Sequence, residues 1–235
     1  MKLIGGEKRT AVTIIILVCV LAILIVPMRL TRSSGAYFGK GNTVYSVAIK
    51  EKCLALTFDV EYGTDKTEGI VEILKEFDAD ATFFLTGLWA ENFKNKALVI
   101  SEKFEIGTHS NTHPHLTQIS YEECVAELKI SKEKIERIIK KPITLLRAPY
   151  GEYNKKVLAA AQSLNLKAVR WDVDSYDWKH ISSQDIVKRV LEKATRGSII
   201  LFHSNSEHIL SFLPIILQTF KDDGYSFKRV SDLIK

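Results

Sequence analysis

Cys53–Gly63 reads CLALTFDVEYG, and this stretch decides the fold class that the sequence predicts. Six largely apolar residues run into two carboxylates, Asp59 and Glu61, before the glycine ends the run. A short apolar run of this kind indicates a strand buried on both faces, as in parallel sheets. Such folds bind ligands just beyond the carboxyl ends of their strands, so Asp59 is a candidate catalytic residue. The alternative is an aspartate that caps a turn or helix.

Four further apolar segments also end in polar residues of the kind used in catalysis. They are Phe104–Thr108 before His109, Ile143–Leu146 before Arg147, Ala168–Trp171 before Asp172, Asp174 and Asp177, and Ser198–Phe202 before His203. Thr43–Ile49 and Ala81–Leu85 complete the predicted strands.

Stretches of helical periodicity alternate with these strands. They are Asp65–Phe77, Trp89–Lys103, Ser120–Ile139, Asn154–Leu164, Ser182–Ala194 and His208–Phe220. Ser120, with Glu123 three residues later, predicts a capping box. The alternation predicts a parallel α/β fold with right-handed crossovers, in which the polar residues share one rim.

Composition excludes several classes of protein. The net charge of +5 is spread along the 235 residues, which argues against nucleic-acid binding. The three cysteines, Cys19, Cys53 and Cys124, have neither metal-ligand spacing nor the density of a disulfide framework.

The apolar, uncharged run Ala11–Met28 is long enough to span a bilayer. We predict a cytoplasmic tail over residues 1–10, one transmembrane anchor over 11–28, a Gly/Ser-rich linker over 29–42 and a folded domain over 43–235. A cleaved signal peptide with its site near Ser34-Gly35-Ala36 is the alternative.

His109 and His113 are spaced at i and i+4, so on a helical turn both rings could chelate one divalent metal ion. His115 follows Pro114 and is predicted to lie on the surface. Arg147 could bind a carboxylate through two hydrogen bonds. The Pro149-Tyr150-Gly151 turn could aim backbone N–H groups at an oxyanion, or it is an ordinary loop.

Two other segments leave their roles open. Asp172–Trp178, with three acids and an indole, is either a solvated loop or a platform for a sugar. His203 ends a very apolar strand and is either a buried structural histidine or a general acid with a carboxylate neighbour.

Five motifs stand in a recognisable order. They are Thr57-Phe58-Asp59, His109-Ser110-x-x-His113, Arg147-x-Pro149-Tyr150-Gly151, Asp174-x-x-Asp177-Trp178 and Leu201-x-His203. Over Thr43 to Lys235 the chain resembles the polysaccharide deacetylases, also called the NodB-homology family or carbohydrate esterase family 4. Within that family it looks most like the sporulation-type branch.

The resemblance implies a deformed (β/α) barrel and metal-dependent removal of N-acetyl groups from β-1,4-linked N-acetylhexosamine polymers. It implies a divalent metal, with zinc favoured over cobalt, and the following roles: Asp59 as general base, His203 as general acid, Arg147 and Asp177 as their partners, His109 and His113 as metal ligands, and the Tyr150 turn as oxyanion donor. Trp178 and Tyr150 are predicted to bind substrate.

The sequence departs from the family pattern at one position. The family has a second aspartate directly after the base as a metal ligand, and here that position is Val60. Glu61 is the predicted third ligand, with Asp65 or water as alternatives, and metal affinity and activity depend on which is correct.

The resulting prediction is a single-pass membrane protein whose extracytoplasmic domain deacetylates a cell-wall glycan, either peptidoglycan or a chitin-like polymer, in a sporulating cell. A weak or inactive glycan-binding wall or spore protein and an O-acetyl esterase are the alternatives. The sequence does not predict an oligomeric state.

Overall fold

The computed structural model describes residues 35–38, 43–62 and 65–235. The predicted cytoplasmic tail over 1–10, the predicted anchor over 11–28, part of the predicted linker and residues 63–64 lie outside the described residues. Gly35–Phe38, within the range predicted as linker, forms a strand that pairs antiparallel with Val44–Ala48. None of the helices in the described ranges combines the length and the hydropathy that a membrane span requires.

The strands, numbered in chain order, are β1 Gly35–Phe38, β2 Val44–Ala48, β3 Cys53–Val60, β4 Ala81–Leu85, β5 Glu105–Thr108, β6 Leu145–Leu146, β7 Lys167–Ala168, β8 Val173–Asp174, β9 Ile199–His203 and β10 Ser226–Phe227. The helices are α1 Thr67–Glu76, α2 Gly87–Asn92, α3 Lys94–Lys103, α4 Tyr121–Ile139, α5 Lys155–Ser163, α6 Ser183–Lys193, α7 Ile209–Asp222 and α8 Val230–Leu233.

Seven strands form one parallel sheet in the order β7-β6-β5-β4-β3-β9-β8, and β10 pairs with the start of β3. The sheet is curled, and β2 forms isolated bridges to both flanks, Val44 to Val169 and Ser46 to Ser198. The predicted parallel α/β class is therefore confirmed, in the form of a curled half-barrel.

Strand β3 shows how the sequence directs the two faces of the sheet. Leu54, Leu56, Phe58 and Val60 belong to the apolar core that also includes residues of α1 and α7. Cys53 and Ala55 belong to a second apolar cluster with residues of β2, β6 and β9. Because side chains alternate along a strand, Asp59 lies on the same face as Cys53 and Ala55.

Phe58 anchors the first core. Its ring stacks on Phe83 of β4 at 5.0 Å and on Phe202 of β9 at 5.6 Å between centroids. Truncating such a buried ring to alanine typically costs about 3–5 kcal/mol. This packing holds β4, β3 and β9 in the register that brings their carboxyl ends to one rim.

Two predicted elements differ from the structure. The helix predicted over Trp89–Lys103 is two helices, because Phe93 leaves helical geometry at φ −122°, ψ 49°. The strand predicted over Ala168–Trp171 is replaced by two short strands, β7 and β8, on opposite edges of the sheet. The predicted capping box is confirmed, with Ser120 and Glu123 satisfying each other's backbone N–H groups.

Candidate active site

Asp59 is held by a fully buried arginine. Arg147, directly after β6, donates from one nitrogen to Asp59 Oδ1 at 2.9 Å and to Thr57 Oγ1 at 2.7 Å. Its other terminal nitrogen donates to the Arg170 carbonyl at 3.0 Å. The guanidinium also lies 4.2 Å from the centroid of the Phe84 ring. Arg147 therefore pairs with the carboxylate of Asp59, but through one hydrogen bond and not the two predicted, because it also donates to Thr57 and to the Arg170 carbonyl.

The pair keeps Asp59 ionised. Burial by itself raises the pKa of this carboxyl group, but the adjacent Arg147 charge, with help from His109 and His203, holds the pKa below its usual value. Oδ1 faces the guanidinium, and Oδ2 lies 3.6 Å from Nε2 of His109. One carboxylate oxygen is thus directed toward the histidine pair.

His109 and His113 lie together, although not on a helical turn as predicted. They belong to a loop after β5 in which Ser110 and His113 both have φ of 64°. Their Nε2 atoms are 3.2 Å apart. The sequence spacing therefore identified the pair correctly, but the local conformation was wrong.

Glu127 of α4 shapes this loop. Its carboxylate accepts hydrogen bonds from the backbone N–H groups of Asn111 and Thr112, at 3.0 and 2.9 Å, and from Thr112 Oγ1 at 3.0 Å. Ser110 Oγ accepts from the His113 N–H at 3.0 Å. These bonds stabilise the left-handed residues that bring the two rings face to edge.

The tautomer of His109 follows from its neighbour. Nδ1 lies 2.8 Å from the Arg147 carbonyl oxygen, which can only accept, so Nδ1 carries the proton and Nε2 presents a lone pair. Burial lowers the pKa of this histidine, which keeps the ring neutral. A neutral imidazole held by a backbone carbonyl is the usual form of a metal-ligating histidine.

Glu61 completes a set of three possible metal donors. Its Oε2 is 2.9 Å from Nε2 of His113, and one donor atom from each of Glu61, His109 and His113 falls within 4.8 Å of the others. Burial raises the pKa of Glu61, but the hydrogen bond with His113 and the charges of His113, His109 and His203 together hold the pKa below its usual value.

The donor set fits a small divalent cation. Two nitrogens at about 2.0–2.1 Å from a tetrahedral zinc ion stand roughly 3.3–3.4 Å apart, close to the separation of the two Nε2 atoms. Two neutral imidazoles and one carboxylate are also a common catalytic zinc set. Asp65, the other carboxylate considered, is instead bound to Lys96 at 2.8 Å and to Thr67.

His203 and Asp177 form the second acid–base pair. Asp177 accepts from the His203 backbone N–H at 2.9 Å, and its other oxygen lies 2.8 Å from Nδ1. Burial alone would lower the pKa of His203, but Asp177, together with Asp59 and Glu61, raises it to about 9. His203 is the in-register neighbour of Asp59 on adjacent parallel strands, so the two residues occupy the same face of the sheet.

Tyr150 lies at the centre of a tight turn with φ of 58°, and its ring is exposed. The ring stacks on His115 at 3.9 Å and contacts His113 edge-on at 4.8 Å. His115 in turn lies 3.2 Å from Glu152. His115, predicted only as a surface residue, therefore supports a residue of the candidate site.

Tyr153 holds the base of the same turn. Its hydroxyl accepts from the Ala148 N–H at 2.8 Å and lies 3.2 and 3.0 Å from the carbonyls of Leu146 and Val169. Burial raises the pKa of this phenol, so it remains a neutral donor. Tyr153 thereby ties the turn to the ends of β6 and β7.

A cavity of about 890 Å³ joins these groups. Its walls include the predicted base, the three possible metal donors, His203 and Asp177. Tyr150 and Trp178 also line it, and Trp178 is 55 % exposed. The indole N–H of Trp178 donates to Asp174 Oδ1 at 3.3 Å. Eight of the nine residues predicted for the site therefore line this cavity, and the ninth, Arg147, is bound to Asp59.

Comparison with known proteins finds peptidoglycan deacetylases among the relatives of this chain. The sequence profile described as "Polysaccharide deacetylase" matches residues 46–169. The peptidoglycan-N-acetylglucosamine deacetylase PgdA of Listeria monocytogenes is 34 % identical over 186 residues, which cover 77 % of this chain and 39 % of PgdA. The peptidoglycan-N-acetylmuramic acid deacetylase PdaC of Bacillus subtilis is 32 % identical over 184 residues, covering 78 % and 39 %. The chain thus spans about two fifths of the length of these two relatives.

Solved structures agree. BA3943 of Bacillus anthracis, described as a carbohydrate esterase family 4 pseudoenzyme, superposes with a TM-score of 0.78 at 28 % identity, covering 82 % of this chain and 69 % of that one. A mutant of the same protein, described as having restored enzymatic activity, superposes equally well. With its curled parallel sheet, its motifs in order and these matches, the chain belongs to the polysaccharide deacetylase family.

Proposed function

We propose that this protein is a metal-dependent deacetylase that removes N-acetyl groups from N-acetylhexosamine units of a cell-wall glycan. One observation carries the proposal. A possible metal-donor set, an arginine-held carboxylate and an aspartate-held histidine line the same cavity. Amide hydrolysis needs these three functions together, namely activation of water and carbonyl, a base and an acid.

Glu61, His109 and His113 would hold the metal, with zinc favoured and cobalt as an alternative. A bound divalent cation would polarise the amide carbonyl and lower the pKa of water. The residues of the chain supply the remaining steps. Asp59, ionised and with Oδ2 directed toward the histidine pair, accepts the proton of the attacking water.

His203 completes the proton transfer. With its pKa raised to about 9 it is protonated at neutral pH, and it can deliver that proton to the sugar nitrogen as the C–N bond breaks. Asp177 holds Nδ1, which leaves Nε2 for the leaving group. The backbone N–H in the Tyr150 turn would stabilise the negative charge on the acetyl oxygen, and Trp178 would offer its face to a sugar ring.

The location of the substrate sets the proposed location of the protein. Cell-wall glycan lies outside the cytoplasm, so we place the folded domain on the extracytoplasmic side, attached to the membrane by the segment 11–28. A role in sporulation is part of the proposal and rests on the resemblance to the sporulation-type branch.

Acetate release tests the proposed function. The purified chain, treated with EDTA and then given Zn²⁺ or Co²⁺, should release acetate from peptidoglycan or chitin oligomers only after metal is restored. Asp59→Asn serves as the matched control, since it keeps the shape of the side chain and removes its basicity. Absence of acetate from both glycans with either metal would contradict the proposal.

A second candidate function is glycan binding without turnover. It is supported by Val60, which stands where the family has a metal-binding aspartate and is fully buried in the apolar core. The likeness to a pseudoenzyme of the same family also supports it. Metal analysis of the purified protein separates the two candidates, because a chain that binds glycan but no zinc or cobalt fits only the second.

A further inference from the structure

Lys179 stands out in the wall of the cavity. Among the described residues, Lys179 is the one lysine or arginine that lines the cavity. The other ionisable side chains of the lining are carboxylates, histidines and a tyrosine. Lys179 follows Asp177 and Trp178 in the loop after β8, so it is held next to groups of the candidate active site. A cation in this place calls for an explanation in terms of substrate.

The loop that carries Lys179 is built by hydrogen bonds. Asp174 Oδ1 accepts from the backbone N–H of Tyr176 at 2.9 Å. The N–H of Lys179 then donates to the Tyr176 carbonyl at 2.9 Å, and the N–H of Ile181 donates to the Lys179 carbonyl at 2.8 Å. The backbone at Lys179 is therefore set before any ligand arrives, which lowers the entropy cost of binding.

Aromatic rings position the ammonium group. Lys179 Nζ lies 3.7 Å from the centroid of the Tyr176 ring and 4.9 Å from that of Trp178. Arg189 of α6 supports the same tyrosine, with its guanidinium carbon 3.4 Å from the centroid and its Nε donating to the Asp174 carbonyl at 2.7 Å.

No carboxylate of the described residues forms an ion pair with Lys179 within 4.0 Å, although Asp174 is part of the same loop. A lysine held against aromatic faces still has N–H donors and a positive charge to offer a ligand, whereas one paired with a carboxylate has already had its charge neutralised. The arrangement therefore suits an anionic group on the bound glycan.

The chemistry of the possible glycans identifies that group. In peptidoglycan every second sugar is a muramyl residue, which bears a lactyl ether on the carbon next to the acetamido carbon. The lactyl carboxylate is either free or extended by a peptide that ends in carboxylates. A chitin-type polymer has the same acetamido sugars and no acid at all.

We propose that Lys179, positioned by Tyr176 and Trp178, binds the lactyl or peptide carboxylate of a muramyl residue and so selects peptidoglycan over chitin-type glycans. The inference rests on the proposed function, because it assigns the substrate class of the same cavity. It accounts for a cation in a cavity whose proposed reaction needs only the metal, the base and the acid.

Steady-state kinetics on two matched oligomers test it. Lys179→Gln should raise KM for a muramyl-containing peptidoglycan oligomer about tenfold, the typical effect of losing one charge-assisted hydrogen bond, with kcat little changed. The same variant should leave chitotetraose kinetics unchanged. Lys179→Arg, which keeps the charge, should restore most of the preference. Lys188→Gln on the exposed face of α6 is the control and should change neither substrate.

Binding measurements keep the inference separate from turnover. Calorimetric titration of both oligomers into Asp59→Asn, with and without Lys179→Gln, should show the same selective loss for the muramyl oligomer. If that loss is seen while the wild type releases no acetate, the substrate inference holds and the proposed enzyme activity fails. An equal effect of Lys179→Gln on both oligomers, or no effect on either, overturns the role of Lys179.

Discussion

Replacing Arg147 by methionine should destabilise the fold by about 3–5 kcal/mol, the typical cost of leaving one partner of a buried ion pair without the other. The guanidinium is fully buried and serves Asp59, Thr57 and the Arg170 carbonyl at once. Methionine fills much of the volume of the arginine side chain, so the lost stability comes mainly from the missing charge and not from a cavity. For a domain of this size each kcal/mol lowers Tm by roughly 2–4 °C, which predicts a fall of about 10 °C.

The loss should also depend on pH, and its sign follows from Asp59. In the wild type the pKa of Asp59 in the folded protein is below its usual value. The ionised carboxylate therefore stabilises the fold at pH values above the unfolded-state pKa of about 3.9, and this contribution is lost as the pH falls through the folded-state pKa. Without Arg147, burial should raise the folded pKa above the unfolded value, and the carboxylate then costs stability at neutral pH. The difference between the two proteins should therefore shrink as the pH falls toward about 4.

A double-mutant cycle with Asp59→Asn provides the assay, using urea unfolding followed by circular dichroism at pH 7 and near pH 4. The double variant should lose less free energy of unfolding than the sum of the losses in the two single variants. Lys188→Met removes one charge of an exposed pair with Glu192 and should cost no more than about 0.5 kcal/mol. Additive losses within about 0.5 kcal/mol, independent of pH, would refute the reasoning.

Three other predictions concern the reaction, the metal and the domain boundary. Asp59→Asn and His203→Ala should each lower kcat about a hundredfold or more with KM little changed, and near-normal kcat in either variant would exclude that residue as the base or the acid. Wild-type activity should also decline as the pH rises through about 9, where His203 loses its proton. Glu61→Ala should weaken zinc affinity about tenfold or more, and excess metal should restore its activity, whereas Glu127→Ala should weaken zinc affinity less. If zinc titration of Glu61→Ala gives the wild-type affinity, Glu61 is not a ligand. A chain that begins at Ser34, and so keeps β1, should be soluble without detergent and unfold cooperatively; aggregation would contradict that boundary.

Much of the fold could be predicted because its strands are distinct apolar runs. β4, β5 and β9 lie within one residue of their predicted ranges, and β3 runs two residues past its apolar run, since each strand is largely buried and is followed directly by a polar residue. β8 has only two residues, too few to show periodicity. The break at Phe93 was missed because apolar spacing continues across it from α2 into α3.

The site shows the same division between local and long-range signals. His109 and His113 could be found because they are four residues apart, and Asp59, Arg147 and His203 because each follows a strand. Side chains that position these residues carry no such signal. Glu127, on a different element from the loop it stabilises, has the sequence environment of an ordinary surface position on an amphipathic helix.

The candidate site has two layers that differ in exposure. Arg147, Asp59 and His109 have side chains no more than 4 % exposed, whereas those of His113, His203 and Glu61 are 13–24 % exposed. Substitutions in the inner layer would endanger folding, but those in the outer layer would mainly affect chemistry. A lineage that no longer needs the reaction is therefore expected to lose outer residues first and to keep the buried arginine–aspartate pair long after catalysis has gone. The buried pair in such an inactive descendant would then indicate that its ancestor was an enzyme.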